Sequence, residues 1–174
     1  SSDVCSSDLV YIRLKNFGRE THTYLHHIVN NYNSLSDYTF FVQGDPFPHS
    51  PNIINDINNL IVNGFQKNFY WISDRIVESD FEYKREPYFV MFTQLKKAYK
   101  FVFGEYPKIE TFKFGAGAQF CVSKESILSR PLSFYQRLYN FFDNESLDDI
   151  DSDYINLFRY PDINQNINKI DRSN

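Results

Sequence analysis

The chain has 174 residues, 18 basic and 22 acidic, giving a net charge of −4 at neutral pH, and 42% of its residues are hydrophobic. That length suits a single domain able to bury roughly 70% of its unfolded surface. The near-neutral charge is not gathered into a basic face, which argues against nucleic acid as the main partner, and no apolar run approaches the roughly 18 residues of a membrane span.

The first nine residues, SSDVCSSDL, back-translate into AGT TCA GAC GTG TGC TCT TCC GAT CT, a common sequencing-adapter read. Residues 1–9 are therefore read as an artefact of sequence assembly and set aside like a fusion scar. Without Asp3 and Asp8 there remain 20 acids against 18 bases, a net charge of −2. Without Cys5, Cys121 is the one native cysteine, and an intrachain disulfide is excluded. The chain is expected to be a truncated fragment of a longer natural protein. The lack of a leader or anchor in this fragment then says nothing about its compartment.

Residues 10–160 are expected to form one domain. VYIRL, residues 10–14, alternates Val10, Ile12 and Leu14 against Tyr11 and Arg13, the period of a strand. Gly18 permits a tight turn into a helix over residues 20–32, with Leu25, Ile28, Val29 and Tyr32 as its apolar stripe. YTFFV, residues 38–42, is aromatic and β-branched and reads as a buried strand. Ser50 is placed to cap a second helix, with Pro51 at its first position, a stripe of Ile53, Ile54, Ile57, Leu60 and Ile61, and Gly64 as its stop. FYWI, residues 69–72, is a short strand, followed by a charged loop to Glu86. Pro87 opens a long helix carrying Met91, Phe92, Leu95, Tyr99 and Val102, stopped by Gly104. AQFCV, residues 118–122, is a further strand. Ser123 caps a helical turn that Pro131 interrupts, and Phe134, Leu138, Phe141 and Phe142 mark a last, aromatic helix. The six acids between Asp143 and Asp153 read as a solvated loop, and the Asn-rich residues 161–174 as a frayed tail. Strands alternating with helices point to an α/β fold, a compact three-layer domain with a mixed, mainly parallel sheet and helices on both faces.

Three segments could carry chemistry. In NFGRETH, a strand-to-helix turn at Gly18 would offer backbone N–H groups to an anion, with Asn16 beside it and Arg19 as a phosphate or carboxylate fork. Glu20 and His22 follow in the helix's first turn. His22 and His26 are four residues apart, a metal-ligand spacing, but HTYLH lacks the glutamate of a zinc-protease motif. In QGDPFPH, a buried strand ends at Gln43, Gly44 and Asp45, and Pro46 and Pro48 stiffen the loop that brings in His49. Asp45 could bind a divalent cation bridging phosphates, and His49 could add a ligand or a proton donor. The plainer reading is an aspartate capping a turn before proline. In GAGAQFCVSK, Gly115 to Ala118 leave room for a ligand, and Gln119 would present an amide in the cleft. Close helix-on-sheet packing needs small residues equally. Cys121, mid-strand, reads as an inert buried thiol.

The blocks NFGRETHTYLHHI…DYTFFVQGDPFPH and GAGAQFCVSKESILSRPLSFY resemble the family known as domain of unknown function 3431, over roughly residues 10–142. More distantly, the layout is similar to GT-A glycosyltransferases, whose DxD motif after a buried strand holds a metal and a nucleotide-sugar diphosphate, and whose later glycine-rich segment lines the acceptor site. That resemblance implies a GT-A/Rossmann-like sheet. It also implies transfer of a sugar from a nucleotide sugar to a glycan or other hydroxyl acceptor. Asp45 and His49 would hold Mn²⁺ or Mg²⁺, Glu20 or His22 would be the general base, and Asn16, Gly18, Arg19, Gln43 and Gln119 would contact substrate. Gln43 stands where the motif's first acid would be, which leaves Asp45 as its single carboxylate. The alternatives are a non-catalytic carbohydrate- or partner-binding domain and a metal-dependent hydrolase built on His22, His26 and His49.

Overall fold

A computed structural model describes residues 12–14, 19–80 and 95–143, with the side chains of Arg19, Phe142 and Asp143 left aside. Helix α1 is Arg19–Asn31, strand β1 Tyr38–Phe41, helix α2 Ile53–Asn63, strand β2 Phe69–Trp71 and strand β3 Ile76–Asp80. Then come helix α3 (Leu95–Phe103), strand β4 (Thr111–Gly115), a 3₁₀ turn at Ala116–Ala118, strand β5 (Phe120–Ser123), and helices α4 (Lys124–Leu128) and α5 (Leu132–Asp143).

The expected mainly parallel, three-layer, Rossmann-like sheet is not what forms. The strands make two small antiparallel sheets, one ordered β1-β5-β2 and the other β3-β4. Strand β5 is central and runs against both neighbours, with Phe41 opposite Phe120 on one side and Trp71 opposite Phe120 on the other. The sequence pattern misleads here for a definite reason. β1, α2 and β2 do form a strand–helix–strand unit, and its two strands share a direction because both oppose β5. They are not neighbours, however: a strand from about fifty residues later is inserted between them. Side-chain alternation reports which face a residue occupies and is silent about the direction of its neighbour.

The alternation itself sorts the apolar residues into two clusters. Phe41 and Val122 join Ile28, Leu35 and Ile127, with Tyr24, Tyr32, Phe120 and Tyr135 around them. Tyr38, Phe40, Tyr70 and Cys121 instead meet Ile53, Ile57, Leu60, Phe65 and Ile72. Each fully buried Leu, Ile, Val or Phe in these clusters stabilises the fold by about 1.5–3 kcal/mol, so a pairing slip of one residue would forfeit several such terms at once.

Local signals are realised closely at several points. Gly64 and Gly104, at φ +75° and +82°, end α2 and α3 in a region that L side chains rarely adopt. The Ser123 hydroxyl accepts from the Ser126 N–H at 3.1 Å and caps α4. On α5, Arg137 donates to the carbonyls of Phe101 and Val102 at 2.8 and 2.6 Å, closing the end of α3. Three expectations fail. Residues 12–14 are not strand, and Ile12 is exposed. The stretch 76–80, expected within a charged loop, pairs with β4 instead, its Glu78 facing Lys113 across the ladder at 3.3 Å. Ser50 does not cap α2, whose N-cap is Asn52. The buried Ser50 hydroxyl donates to the Ile72 carbonyl at 2.6 Å. The Val10–Tyr11 part of the first strand, the Pro87 helix start, the acidic run beyond Asp143 and the tail at residues 161–174 lie outside the described residues.

Glycine is required at position 115. A Cβ there would lie 2.9 Å from Cε3 of Trp71 and 3.1 Å from Cβ of Ser73, whereas at Gly44 it would meet nothing within 4 Å. Gly115→Ala is expected to lose about 1–3 kcal/mol through overpacking, and Gly44→Ala to stay within about 0.5 kcal/mol; paired urea denaturations check the contrast.

A second prediction concerns alkali. Burial pushes the Cys121 thiol up to about 11, and burial followed by the nearby Glu20 charge pushes the Tyr24 phenol up to about 12. Both groups are neutral below their unfolded values, so their stabilising contribution is intact there and is lost as pH rises toward the folded values. Denaturation midpoints should hold steady to about pH 8.5 and fall between pH 9 and 12. Cys121 should resist alkylation at pH 8 until the chain unfolds, as peptide mapping would show.

Candidate functional site

One end of the three-stranded sheet gathers most of the polar residues singled out above. β1 and β2 both run out there, β5 begins there, and the register continues to bring Ile72 beside Gln119, whose carbonyl accepts the Ile72 N–H at 3.0 Å. The segment after β1 folds into a tight turn in which the Pro46 carbonyl accepts from the N–H groups of His49 and Ser50 at 3.2 and 3.0 Å. Two prolines restrict the backbone of this turn.

A set of interactions clamps the turn to the sheet. The Gln119 side chain is fully buried, and its Nε2 donates to the Ser50 hydroxyl at 3.0 Å and to the Pro46 carbonyl at 3.2 Å. Ser50 passes the chain on to Ile72, and the Asp74 N–H donates to the His49 carbonyl at 3.2 Å. Buried hydrogen bonds of this kind hold geometry because breaking one leaves a polar atom without water. The Gln119 Oε1 is buried without a partner among the described residues.

The small residues of GAGA have a use that the sequence left undecided. Gly117 has φ +83°, and a Cβ on it would lie 2.9 Å from Cβ, Cγ and Cδ2 of His49. The His49 ring therefore rests on the Gly117 backbone, as the Trp71 ring rests on Gly115. Ala118, at φ +51°, is a non-glycine residue in the left-handed region, a conformation costing roughly 1–2 kcal/mol that the surrounding contacts enforce. The space opened by these small residues is filled by the protein's own rings.

Asp45 and His49 are both exposed on the turn, and Gly44 beside Asp45 is open to solvent. Glu20, in the first turn of α1, accepts from Gln43 Nε2 at 2.9 Å, which ties the start of the helix to the segment leaving β1. Asn16 and Gly18 lie outside the described residues, as does the Arg19 side chain. His22 is brought elsewhere: it is buried, with its ring stacked on Tyr139 of α5 at 5.1 Å, and His26 meets the same tyrosine edge-on at 5.8 Å. The two histidines thus join the α1–α5 packing, away from the His49 turn. Among the described residues, no three His, Cys, Asp or Glu side chains are grouped to hold a metal, and no helix is long and apolar enough to cross a membrane.

Two contributors escaped the sequence reading. Ser50 passed as a helix cap, and no local signal distinguishes that from a hydroxyl buried between Gln119 and Ile72. Tyr24 belongs to no motif, though its place one turn after Glu20 sets it within reach of that carboxylate's charge. At the opposite end of the sheet an open groove of about 690 Å³ is lined by Asp37, Tyr38, Asn68, Lys124, Glu125 and Leu128, among others.

The Gly117–His49 contact is directly testable. Gly117→Ala should displace the imidazole and cost about 1–3 kcal/mol from combined strain and overlap. A shift of the His49 ring resonances in NMR, with a lowered urea midpoint, would be the expected pair of results.

Comparison with known proteins gives one match: a family described as "Protein of unknown function (DUF3431)" aligns with residues 6–158. No curated protein and no solved structure matches the chain.

Proposed function

We propose, from the premise that this chain belongs to the DUF3431 family of proteins of unknown function, that it binds a nucleotide sugar at the Asp45–His49 turn and transfers the sugar to a hydroxyl. The observation that carries this reading is the clamp. An exposed acid and an exposed imidazole stand on a turn fastened to the sheet by Gln119 and Ser50, and a pair preorganised on a rigid support suits a polar ligand. The substrate class is taken from the likeness of the QGD segment after β1 to a DxD motif alone, since the GT-A/Rossmann-like sheet that the resemblance implied does not form.

One carboxylate and one imidazole fit a Mg²⁺ or Mn²⁺ ion only where the ligand's own diphosphate oxygens complete the shell. Such an ion would neutralise charge on the leaving diphosphate. Glu20 is the general base of this reading, since His22 is enclosed against Tyr139. The Gln43 amide holds one Glu20 oxygen at 2.9 Å and so orients the carboxylate. Glu20 would take the proton of the acceptor hydroxyl as its oxygen bonds to the sugar carbon, while the nucleoside diphosphate departs with the electrons of the broken bond. Gln119 acts on this site by positioning the turn.

A second reading has one specific observation in its favour. Gln43, where a second acid would strengthen cation binding, is an amide already engaged with Glu20, which suits a carbohydrate-binding domain without catalysis. Calorimetry separates the two. Nucleotide-sugar binding should need Mn²⁺ and weaken at least about tenfold in Asp45→Ala. Glycan binding indifferent to chelator and to Asp45→Ala would overturn the transferase reading and leave the binding domain.

A further inference from the structure

We infer that Phe69, Trp71 and Phe120 form a stacking shelf for a sugar ring, with Glu20 and Gln43 as its polar rim. This rests on the reading above only in taking sugars as the ligand class; it needs neither the cation nor the transfer step.

The shelf follows from how α1 covers the sheet. On the face that carries Phe41 and Phe120, Tyr24 of α1 packs on both rings, at 4.8 and 5.8 Å between centroids. That cover serves the β1 side. Toward β2, Phe69 and Trp71 stay 39% and 38% exposed. Both are nonetheless held firmly. Phe69 stacks on Phe120 at 5.4 Å, Trp71 meets Phe69 edge-on at 4.7 Å and Phe120 at 6.2 Å, and the indole lies against Gly115. Rings fixed by their neighbours while open to solvent lose little entropy when a ligand settles on them.

The area decides the kind of occupant. Two rings at about two-fifths exposure offer on the order of 150–200 Å². A stable protein interface needs roughly 1,000 Å² or more, so a small ring-shaped ligand fits and a folded partner does not. The rim selects among such ligands. Gln43 follows the end of β1 and its amide reaches Glu20 of α1, the helix whose Tyr24 packs on Phe41, so the Gln43–Glu20 pair stands at the shelf's end. β1 lies two strand spacings, about 10 Å, from β2, and Gln43 stands two residues beyond the level at which Phe41, Phe120 and Trp71 are aligned. An acid and an amide match a ring edged with hydroxyls, whose donors their oxygens accept.

Trp71 is the chain's only tryptophan, so intrinsic fluorescence of the full chain reports on this shelf alone. Cellobiose, maltotriose, chitotriose and N-acetyllactosamine would be titrated, with uridine and adenosine monophosphates as the base-stacking comparison and iodide as the quencher. At least one saccharide should shift the emission and reduce iodide quenching. Phe69→Ala should weaken that response about tenfold with its thermal midpoint retained; should that variant not fold, the wild-type titration decides by itself. Silence across the saccharides, a response to the nucleotides alone, or a Trp71 already inaccessible to iodide in the free protein would each overturn the shelf. A saccharide response that persists in Asp45→Ala, in a protein that binds no nucleotide sugar, would remove the transferase reading and leave this one standing.

Discussion

The side-chain amide of Gln119 continues, past the start of β5, the work that backbone pairing does along that strand. β5 is bonded to β1 and β2 together, and Gln119 carries the connection one step further by donating to Pro46 and Ser50 on the segment that leaves β1. Through Ser50 the same network reaches Ile72 beyond β2. The exposed turn with Asp45 and His49 is therefore fastened from below at three places, and its order is inherited from the sheet. A primary amide suits this position because it carries two donors in a fixed plane and no net charge that burial would penalise.

A division of labour between the two faces of β5 follows from that arrangement. Cys121 and Gln119 face α2, where the environment is closed, and the thiol is held protonated by burial. Phe120 and Val122 face α1, and on that side Phe69 and Trp71 of β2 stay partly exposed. Closed packing on one face supplies rigidity, and the exposed rings on the other are the surface for which sugar stacking is proposed. Neither face would hold without the other, since both depend on the same four residues of β5 keeping register with both neighbours.

How much of this the sequence displays depends on the range over which each signal acts. Gly64, Gly104 and Ser123 act within one turn of backbone, and the structure uses them as expected. The periodicity of α1 and α2 is likewise local, and Leu25, Ile28 and Ile53 are buried, but Ile54 and Ile61, expected in the α2 stripe, are exposed at 60% and 58%. Strand direction is not local. FCVS carries the same alternation whether its neighbours run with it or against it, and the mainly parallel expectation failed there. Glu78 reads as a loop charge because the contact with Lys113 that accompanies its strand pairing lies across a ladder. At the candidate site, the turn with Asp45 and His49 was legible from its prolines and from the strand before it. The enclosure of His22 against Tyr139 depends on a residue more than a hundred positions away and left no trace near HTYLH.

The paired rings over Gly115 and Gly117 also bear on which changes of length the protein can accept. Trp71 and His49 each need a missing side chain at a set place, two residues apart, immediately ahead of a strand whose faces alternate one by one. Adding or deleting a single residue between Gly115 and Phe120 would set the glycines out of step with their rings or turn Phe120 toward α2 and Cys121 toward α1. Natural variants of this segment should therefore keep its length and vary in the loops that precede β4.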